Sequence, residues 1–166
     1  MVIVLGTGIG GSIVFNREIV KGFNSYAGEI GFMLLNNNEE NFGELATAVQ
    51  MAKKYAAKKG LDSNKITGVE VFKLAKEGDK LAQEEVDQFF HYLALGIYNL
   101  NAIIDPEKII LGGGVSKMEG FQERVEAAIQ ALYARIYAFP YEPNIEIAHF
   151  NNDANLIGAI YTFNNA

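Results

Sequence analysis

The chain has 166 residues, 49% of them apolar, with no cysteine and a formal net charge of −6. This length is enough for one domain with a substantial core, and the acidic balance argues against a nucleic-acid-binding surface. No apolar run approaches the roughly 18 residues of a membrane helix, and no basic segment followed by an apolar stretch indicates a signal peptide. The lack of cysteine excludes disulfides and thiolate metal ligands and favours a cytoplasmic protein.

The first predicted elements are two β-strands joined by a glycine-rich loop. Residues 2–5 and 12–15 are rich in β-branched side chains, which favours strands. Four of the six residues between them are glycine, namely Gly6, Gly8, Gly10 and Gly11. The loop would present bare backbone N–H groups and the hydroxyl of Thr7, and successive N–H groups of this kind can bind a phosphate.

The spacing Gly6-x-Gly8-x-x-Gly11 occurs in several phosphate-binding loops. A dinucleotide-binding loop requires a helix directly after the glycines, whereas a strand is predicted here. A protein-kinase loop requires downstream Val-Ala-Ile-Lys, His-Arg-Asp and Asp-Phe-Gly motifs, which the sequence lacks. Two interpretations stay open: the phosphate loop of sugar kinases with the actin-like fold, and a tight hairpin without a ligand. Four glycines exceed what a turn needs.

The segments after the hairpin also have the composition of strands. Asn16 and Arg17 form a turn before a short strand, and residues 27–35 are predicted to be a third strand with glycines on both sides of Glu29. Three consecutive strands with short connections would form an antiparallel meander.

Three helices follow, over residues 42–60, 67–78 and 79–104. Gly60 is expected to end the first as a left-handed cap. Thr67 and Glu70 form a capping box for the second, and Asp79 caps the third. The third helix would have about 25 residues and a length of about 37 Å. It is a candidate dimerisation element.

The end of the chain predicts alternating strands and helices. An apolar strand over residues 108–111 runs into Gly112, Gly113 and Gly114. A capping box at Ser116 and Glu119 then opens a helix to about residue 138, which would place bare N–H groups at a helix N-terminus that favours anions. Residues 144–148 form a strand, and Asp153 caps a final helix over residues 154–163. The order of elements predicts a mixed α/β sheet covered by helices.

At this point the chain resembles the C-terminal half of the ROK family, which groups sugar kinases with sugar-responsive repressors. The matching stretches occur in family order over nearly the whole chain. They are LGTGIGG at 5–11, AGEIG at 27–31, the segment 93–106 with its LAxGxxN motif, ILGGGVS at 110–116, and DAxxIGA at 153–159.

The resemblance implies an actin-like, ribonuclease-H-type fold, with ATP and Mg²⁺ between two lobes and a sugar hydroxyl that receives the γ-phosphate. By position, the ATP-phosphate-binding residues are Gly6, Thr7, Gly8 and Gly10. The residues beside the adenosine are Gly112, Gly113 and Gly114. Glu29 corresponds to the carboxylate that accepts hydrogen bonds from sugar hydroxyls.

Two positions depart from the family pattern near the sugar. Family members usually follow Glu-Ile-Gly with histidine and then supply a cysteine cluster, and these four ligands bind a structural zinc. Here the histidine position is Phe32 and cysteine is absent, so the chain resembles a zinc-free branch that includes β-glucoside kinases, and no zinc is expected. A second sugar-facing glutamate is also expected, and its aligned position is Ala46.

The resemblance further implies that residues 1–166 are a single C-terminal lobe with a helical insertion at about 42–104. The first phosphate motif and the catalytic Asn-Asp pair belong to an N-terminal lobe, expected upstream of Met1, so no catalytic residue is assigned here. Asn152 and Asp153 spell that pair but are interpreted as a helix cap. We expect a homodimer that acts as a hexose kinase, inactive without its N-terminal lobe. The alternative is the effector-sensing half of a sugar-responsive repressor.

Overall fold

A computed structural model describes residues 1–137, 140–150 and 154–164. Its centre is a four-stranded sheet in the order β2-β1-β5-β6, in which β2 is antiparallel to β1 while β1, β5 and β6 are parallel. A separate ribbon pairs β3 with β4. The strands are β1 (Val2–Leu5), β2 (Ile9–Ser12), β3 (Val14–Phe15), β4 (Glu18–Ile19), β5 (Ile109–Gly112) and β6 (Ile145–Ile147). The predicted mixed α/β class is confirmed.

Among the described residues, four α-helices lie between β4 and β5, one lies between β5 and β6, and one follows β6. They are α1 (Phe42–Leu45), α2 (Ala48–Lys59), α3 (Gly68–Lys76), α4 (Lys80–Ile104), α5 (Phe121–Tyr133) and α6 (Ala154–Asn164). The 25 residues of α4 match the predicted length. This helix packs against α1, α2, α3 and α5, so much of the proposed dimerisation element is covered by its own chain. In the described ranges no helix is both long and apolar enough to cross a membrane.

Most of the predicted helix ends are confirmed by their caps. Thr67 accepts from the backbone N–H of Glu70, and the Glu70 carboxylate accepts from the Thr67 N–H at 2.7 Å. The Asp79 side chain accepts from the Ala82 N–H at 2.9 Å. Gly60 ends α2 in the left-handed region, with φ +69°. The capping sequences therefore set these boundaries through interactions within four residues.

The third predicted strand is wrong. Residues 27–35 contain a 3₁₀ turn at Ile30–Phe32 instead, and the antiparallel meander is reduced to the β1–β2 hairpin and the small β3–β4 ribbon. Gly28 has φ +92°, and a Cβ on it would lie 2.9 Å from the Gly11 carbonyl oxygen. A positive φ is incompatible with a regular strand, and the backbone of Gly28 packs directly on that of Gly11 in β2.

Two of the predicted helices also differ from the observed ones. The first helix is interrupted at residues 46–47. Ser116 opens no helix, since it lies in a 3₁₀ turn (Val115–Lys117) and its hydroxyl donates to the Gly113 carbonyl at 2.8 Å. The following helix, α5, begins only after Gly120, which has no capping side chain. The last helix begins at Ala154 as predicted, while Asn152 and Asp153 lie outside the described residues.

Candidate nucleotide and sugar site

Two glycine-containing loops meet at one edge of the sheet. Parallel strands β1 and β5 end side by side, so the segments that follow Leu5 and Gly112 leave the sheet together. Gly113 has φ +99°, and a Cβ on it would overlap the carbonyl group of Leu5. This glycine is therefore required for the two loops to touch. Ligands of α/β proteins commonly bind at this carboxyl edge.

The hairpin tip is shorter than predicted. It consists of Gly6, Thr7 and Gly8, all exposed, and is closed by the Gly6 N–H donating to the Gly8 carbonyl at 2.9 Å. Gly10, predicted to contact the ATP phosphates, lies in β2 opposite Val4. The tip thus presents backbone groups and one hydroxyl to solvent at the edge where the two loops meet.

The glycines of this region divide into two groups. Gly11, Gly31 and Gly113 are crowded, because a Cβ on any of them would come closer than 3 Å to neighbouring backbone. A Cβ on Gly6 would make only an ordinary contact of 3.8 Å, and those on Gly8, Gly10 and Gly114 would meet no described atom within 4 Å. None of these four has a positive φ. The folded chain itself does not require glycine at these four positions.

A cavity of about 270 Å³ lies beside the two loops. Its walls come from the hairpin tip, the segment after β5, and the first turns of α2 and α3. They are Leu5, Gly6, Thr7, Ala48, Val49, Thr67, Gly68, Val69, Phe72, Gly114, Val115 and Met118. No charged side chain is among them, so this largely apolar cavity suits a flat heterocycle better than a charged group.

Sequence reasoning found only one side of this cavity. Of the glycines predicted beside the adenosine, Gly114 lines it, whereas Gly113 packs on Leu5 and Gly112 is a buried strand residue. The wall from α2 and α3 was missed. A Cβ on Gly68 would lie 2.6 Å from the Cβ of Ala48, so the two helices approach closely at their first residues. No local pattern signals such an approach.

Glu29 is presented to solvent on a segment held against β2. The two glycines that flank it make the close contacts: Gly28 with Gly11, and Gly31 with the carbonyl of Ile9. The Glu29 N–H donates to the Tyr26 carbonyl at 3.1 Å, and its carboxylate is exposed. Because Ile9 directly follows the hairpin tip, the Glu29 segment runs along the same hairpin, although Glu29 does not line the 270 Å³ cavity.

The two positions that depart from the family pattern, Phe32 and Ala46, lie in opposite environments. Phe32, at the position of the family histidine, is 72% exposed. Within the described ranges, no three His, Cys, Asp or Glu side chains are grouped so as to hold a metal ion. Ala46 is completely buried. Its neighbour Glu44 accepts from the Asn41 N–H at 2.9 Å in a capping box.

The mixed sheet, with a glycine hairpin and a second loop at its carboxyl edge, has the actin-like fold that solved ROK structures share with this chain. The chain belongs to the ROK family, whose model matches residues 1–166. The predicted family is confirmed.

Proteins similar to this chain include a kinase and solved structures of the same fold. A β-glucoside kinase from Klebsiella pneumoniae is 33% identical over 170 residues, which cover 99% of this chain and 55% of the kinase. The crystal structure of a ROK family protein from Streptococcus pneumoniae TIGR4 in complex with sucrose gives a TM-score of 0.91 at 30% identity, over 98% of this chain and 56% of that one. A ROK family transcriptional regulator shares the fold, with a TM-score of 0.68 at 20% identity over 88% of this chain and 40% of its own. The chain spans about half the length of the kinase and the sucrose-bound protein.

Proposed function

We propose that this chain is the nucleotide- and sugar-binding C-terminal lobe of an ATP-dependent sugar kinase. One observation carries the proposal: Gly6, Gly8 and Gly114 lie at the carboxyl edge of β1 and β5, where the fold itself would accept a residue with a Cβ. A bare backbone at an exposed loop allows a phosphate to approach the N–H groups closely. The adjoining apolar cavity has room for the nucleoside part of the same ligand.

Each part of the site would then have one task. The tip N–H groups and the Thr7 hydroxyl would donate to the nucleotide phosphates, and the first turns of α2 and α3 would enclose the base. Glu29 would accept hydrogen bonds from two neighbouring sugar hydroxyls, as a carboxylate has acceptor sites on both oxygens. Mg²⁺ would supply charge neutralisation at the phosphates. Positioning and electrostatic stabilisation dominate phosphoryl transfer, so no covalent chemistry is required of this chain.

The missing half of the site belongs in an N-terminal lobe. That lobe would supply the general base that accepts the proton of the sugar hydroxyl and a second phosphate loop. We therefore infer that residues 1–166 alone have no kinase activity. The complete kinase would act in the cytoplasm, where ATP is available, as a homodimer.

The substrate class we favour is a hexose or a hexose glycoside. The similarity to a β-glucoside kinase and to a sucrose-bound ROK protein supports a substrate with a glycosidic substituent. With the buried Ala46 at the position of the second sugar-facing glutamate, the sugar would lack that carboxylate. A site with fewer polar contacts to the ring can tolerate a substituted sugar.

A second candidate is the effector-sensing half of a sugar-responsive repressor. The shared fold with a ROK transcriptional regulator favours it. A repressor would use Glu29 for the sugar but would have no use for an open phosphate loop. The exposed, uncrowded Gly6 and Gly8 therefore favour the kinase.

The test is a coupled assay of ADP release with the complete protein. Glucose, cellobiose and N-acetylmannosamine would be compared as substrates, with residues 1–166 alone as the control. We expect sugar-dependent ADP release from the complete protein and none from the control. Sugar binding without any turnover would instead support the repressor, and turnover by the control would disprove the division of the site between two lobes.

A further inference from the structure

The glycine of the LAxGxxN motif lies in the middle of α4, on a helix that does not line the 270 Å³ cavity. A Cβ on Gly96 would overlap the ring of Phe42 and lie 2.6 and 2.7 Å from its two Cε atoms. Phe42 is the first residue of α1 and is completely buried. Its ring thus rests directly on the backbone of α4, which only glycine allows.

Phe42 is also tied to the segment that carries Glu29. Its backbone N–H donates to the Met33 carbonyl at 2.8 Å. The next residue, Gly43, lies over the same segment, since a Cβ on it would be 3.5 Å from the Gly31 carbonyl oxygen. Gly31 in turn contacts Ile9 beside the hairpin tip. The position of Phe42 therefore affects how the Glu29 segment lies on β2.

The two sides of this contact differ in how firmly they are held. Helix α4 has 25 residues and packs against α2, α3 and α5 as well as α1. Helix α1 is a single turn of four residues between two loops. A methyl group inserted between them would displace α1 rather than α4, because the interior is closely packed and the larger element has more contacts to lose.

We propose that Gly96 is a positioning residue for the sugar site: its bare face seats Phe42, and Phe42 holds the Glu29 segment in place. This inference rests on the proposed role of Glu29 as a sugar ligand. The nucleotide side has a separate contact of the same kind, between Gly68 of α3 and Ala48 of α2, whose residues line the 270 Å³ cavity. The two glycines should therefore affect different substrates.

The experiment compares Gly96→Ala with Gly68→Ala in the complete protein. For Gly96→Ala we expect the KM for sugar to rise by about tenfold or more, because small displacements of a binding group have effects of this order. Its KM for ATP should stay within about twofold of the wild-type value. General damage to the fold would instead raise both KM values, so the comparison distinguishes the two explanations. For Gly68→Ala we expect the opposite result: the KM for ATP should rise by about tenfold or more, and the KM for sugar should stay within about twofold of the wild-type value.

Two further measurements keep the inference testable if Gly96→Ala folds poorly or the protein is not a kinase. Phe42→Leu, which removes the outer ring atoms without adding a clash, should raise the KM for sugar in the same selective way, and it should partly rescue Gly96→Ala in the double variant.

Amide hydrogen exchange needs no activity: exchange over residues 28–45 should accelerate in Gly96→Ala but not in Gly68→Ala. An inactive parent protein would refute the proposed function alone, and the exchange data would still decide the role of Gly96. Equal rises in both KM values, or unchanged exchange over residues 28–45, would overturn it.

Discussion

Replacing Gly8 by valine should remove most of the proposed kinase activity of the complete protein while leaving its melting temperature nearly unchanged. Gly8 is exposed, has no positive φ, and a Cβ on it meets no described atom within 4 Å. A surface substitution of this kind changes stability by about 0.5 kcal/mol or less. A bound phosphate would have to move away from the new side chain, and a displacement of about 1 Å can lower the rate around 100-fold.

Gly113→Val is the matched control, because the fold requires that glycine. Its φ is +99°, and the added Cβ would overlap the carbonyl oxygen of Leu5 and lie 2.7 Å from the carbonyl carbon. The left-handed backbone and the overlap should together destabilise the protein by about 2–5 kcal/mol. This variant should melt several degrees lower than the wild type.

Thermal melting, an ATP titration and the coupled ADP assay would be applied to both variants. A Gly8→Val protein that melts like the wild type but has normal ATP affinity and turnover would refute the assignment of the phosphate loop. A Gly8→Val protein that melts as low as Gly113→Val would show that this glycine serves the turn instead. Only loss of turnover with retained stability agrees with the proposal.

Three further predictions concern single side chains. Glu29→Gln should weaken sugar binding about tenfold or more in calorimetry, without a similar effect on ATP, because hydrogen bonds to charged groups contribute about 1.5–3 kcal/mol; unchanged sugar affinity would make Glu29 a surface charge. Elemental analysis of the dialysed protein should find no stoichiometric zinc, since Phe32 replaces the family histidine; about one zinc per chain would contradict this. The Lys59 ammonium and the Ala82 N–H lower the pKa of Asp79 from 3.8 to about 2, so the ionised carboxylate stabilises the fold above pH 3.8 and this contribution is lost as the pH falls toward 2. Asp79→Asn, which keeps the cap, should therefore lower the melting temperature at pH 7. The melting temperature of the variant should also fall less between pH 4 and pH 2 than that of the wild type; an equal fall in both proteins would refute this.

Elements defined by nearby residues could be predicted from the sequence. The capping residues Thr67 and Asp79 and the left-handed Gly60 act on backbone groups within one helical turn, so the pattern of residue types contains the whole interaction. The same local rules gave a wrong start for the helix after β5. Ser116 has the sequence of an N-cap, but the turn at Gly113 places a carbonyl within reach of its hydroxyl at 2.8 Å.

Elements defined by distant contacts could not be predicted in this way. Residues 27–35 have the composition of a strand and lie against β2, where a third strand was expected, yet Gly28 packs on the backbone of Gly11 with φ +92°, a conformation outside a regular strand. Likewise, the wall of the 270 Å³ cavity from α2 and α3 depends on the contact between Ala48 and Gly68, which are 20 residues apart in the sequence.

The glycines show why the candidate site needed both kinds of information. In the sequence, Gly8 and Gly113 belong to two similar glycine clusters. The sequence does not distinguish a glycine that is needed because neighbouring backbone lies too close from one that leaves room for a ligand. The structure separates them, since a Cβ is blocked by Leu5 at Gly113 and has open space at Gly8. Selection for stability alone would not keep glycine where any residue fits, because a residue with a Cβ loses less conformational entropy on folding. Open glycines at an exposed loop therefore leave room for a partner outside the chain, and at the carboxyl edge of β1 and β5 the partner that we propose is a phosphate, which the N–H groups of such a loop favour.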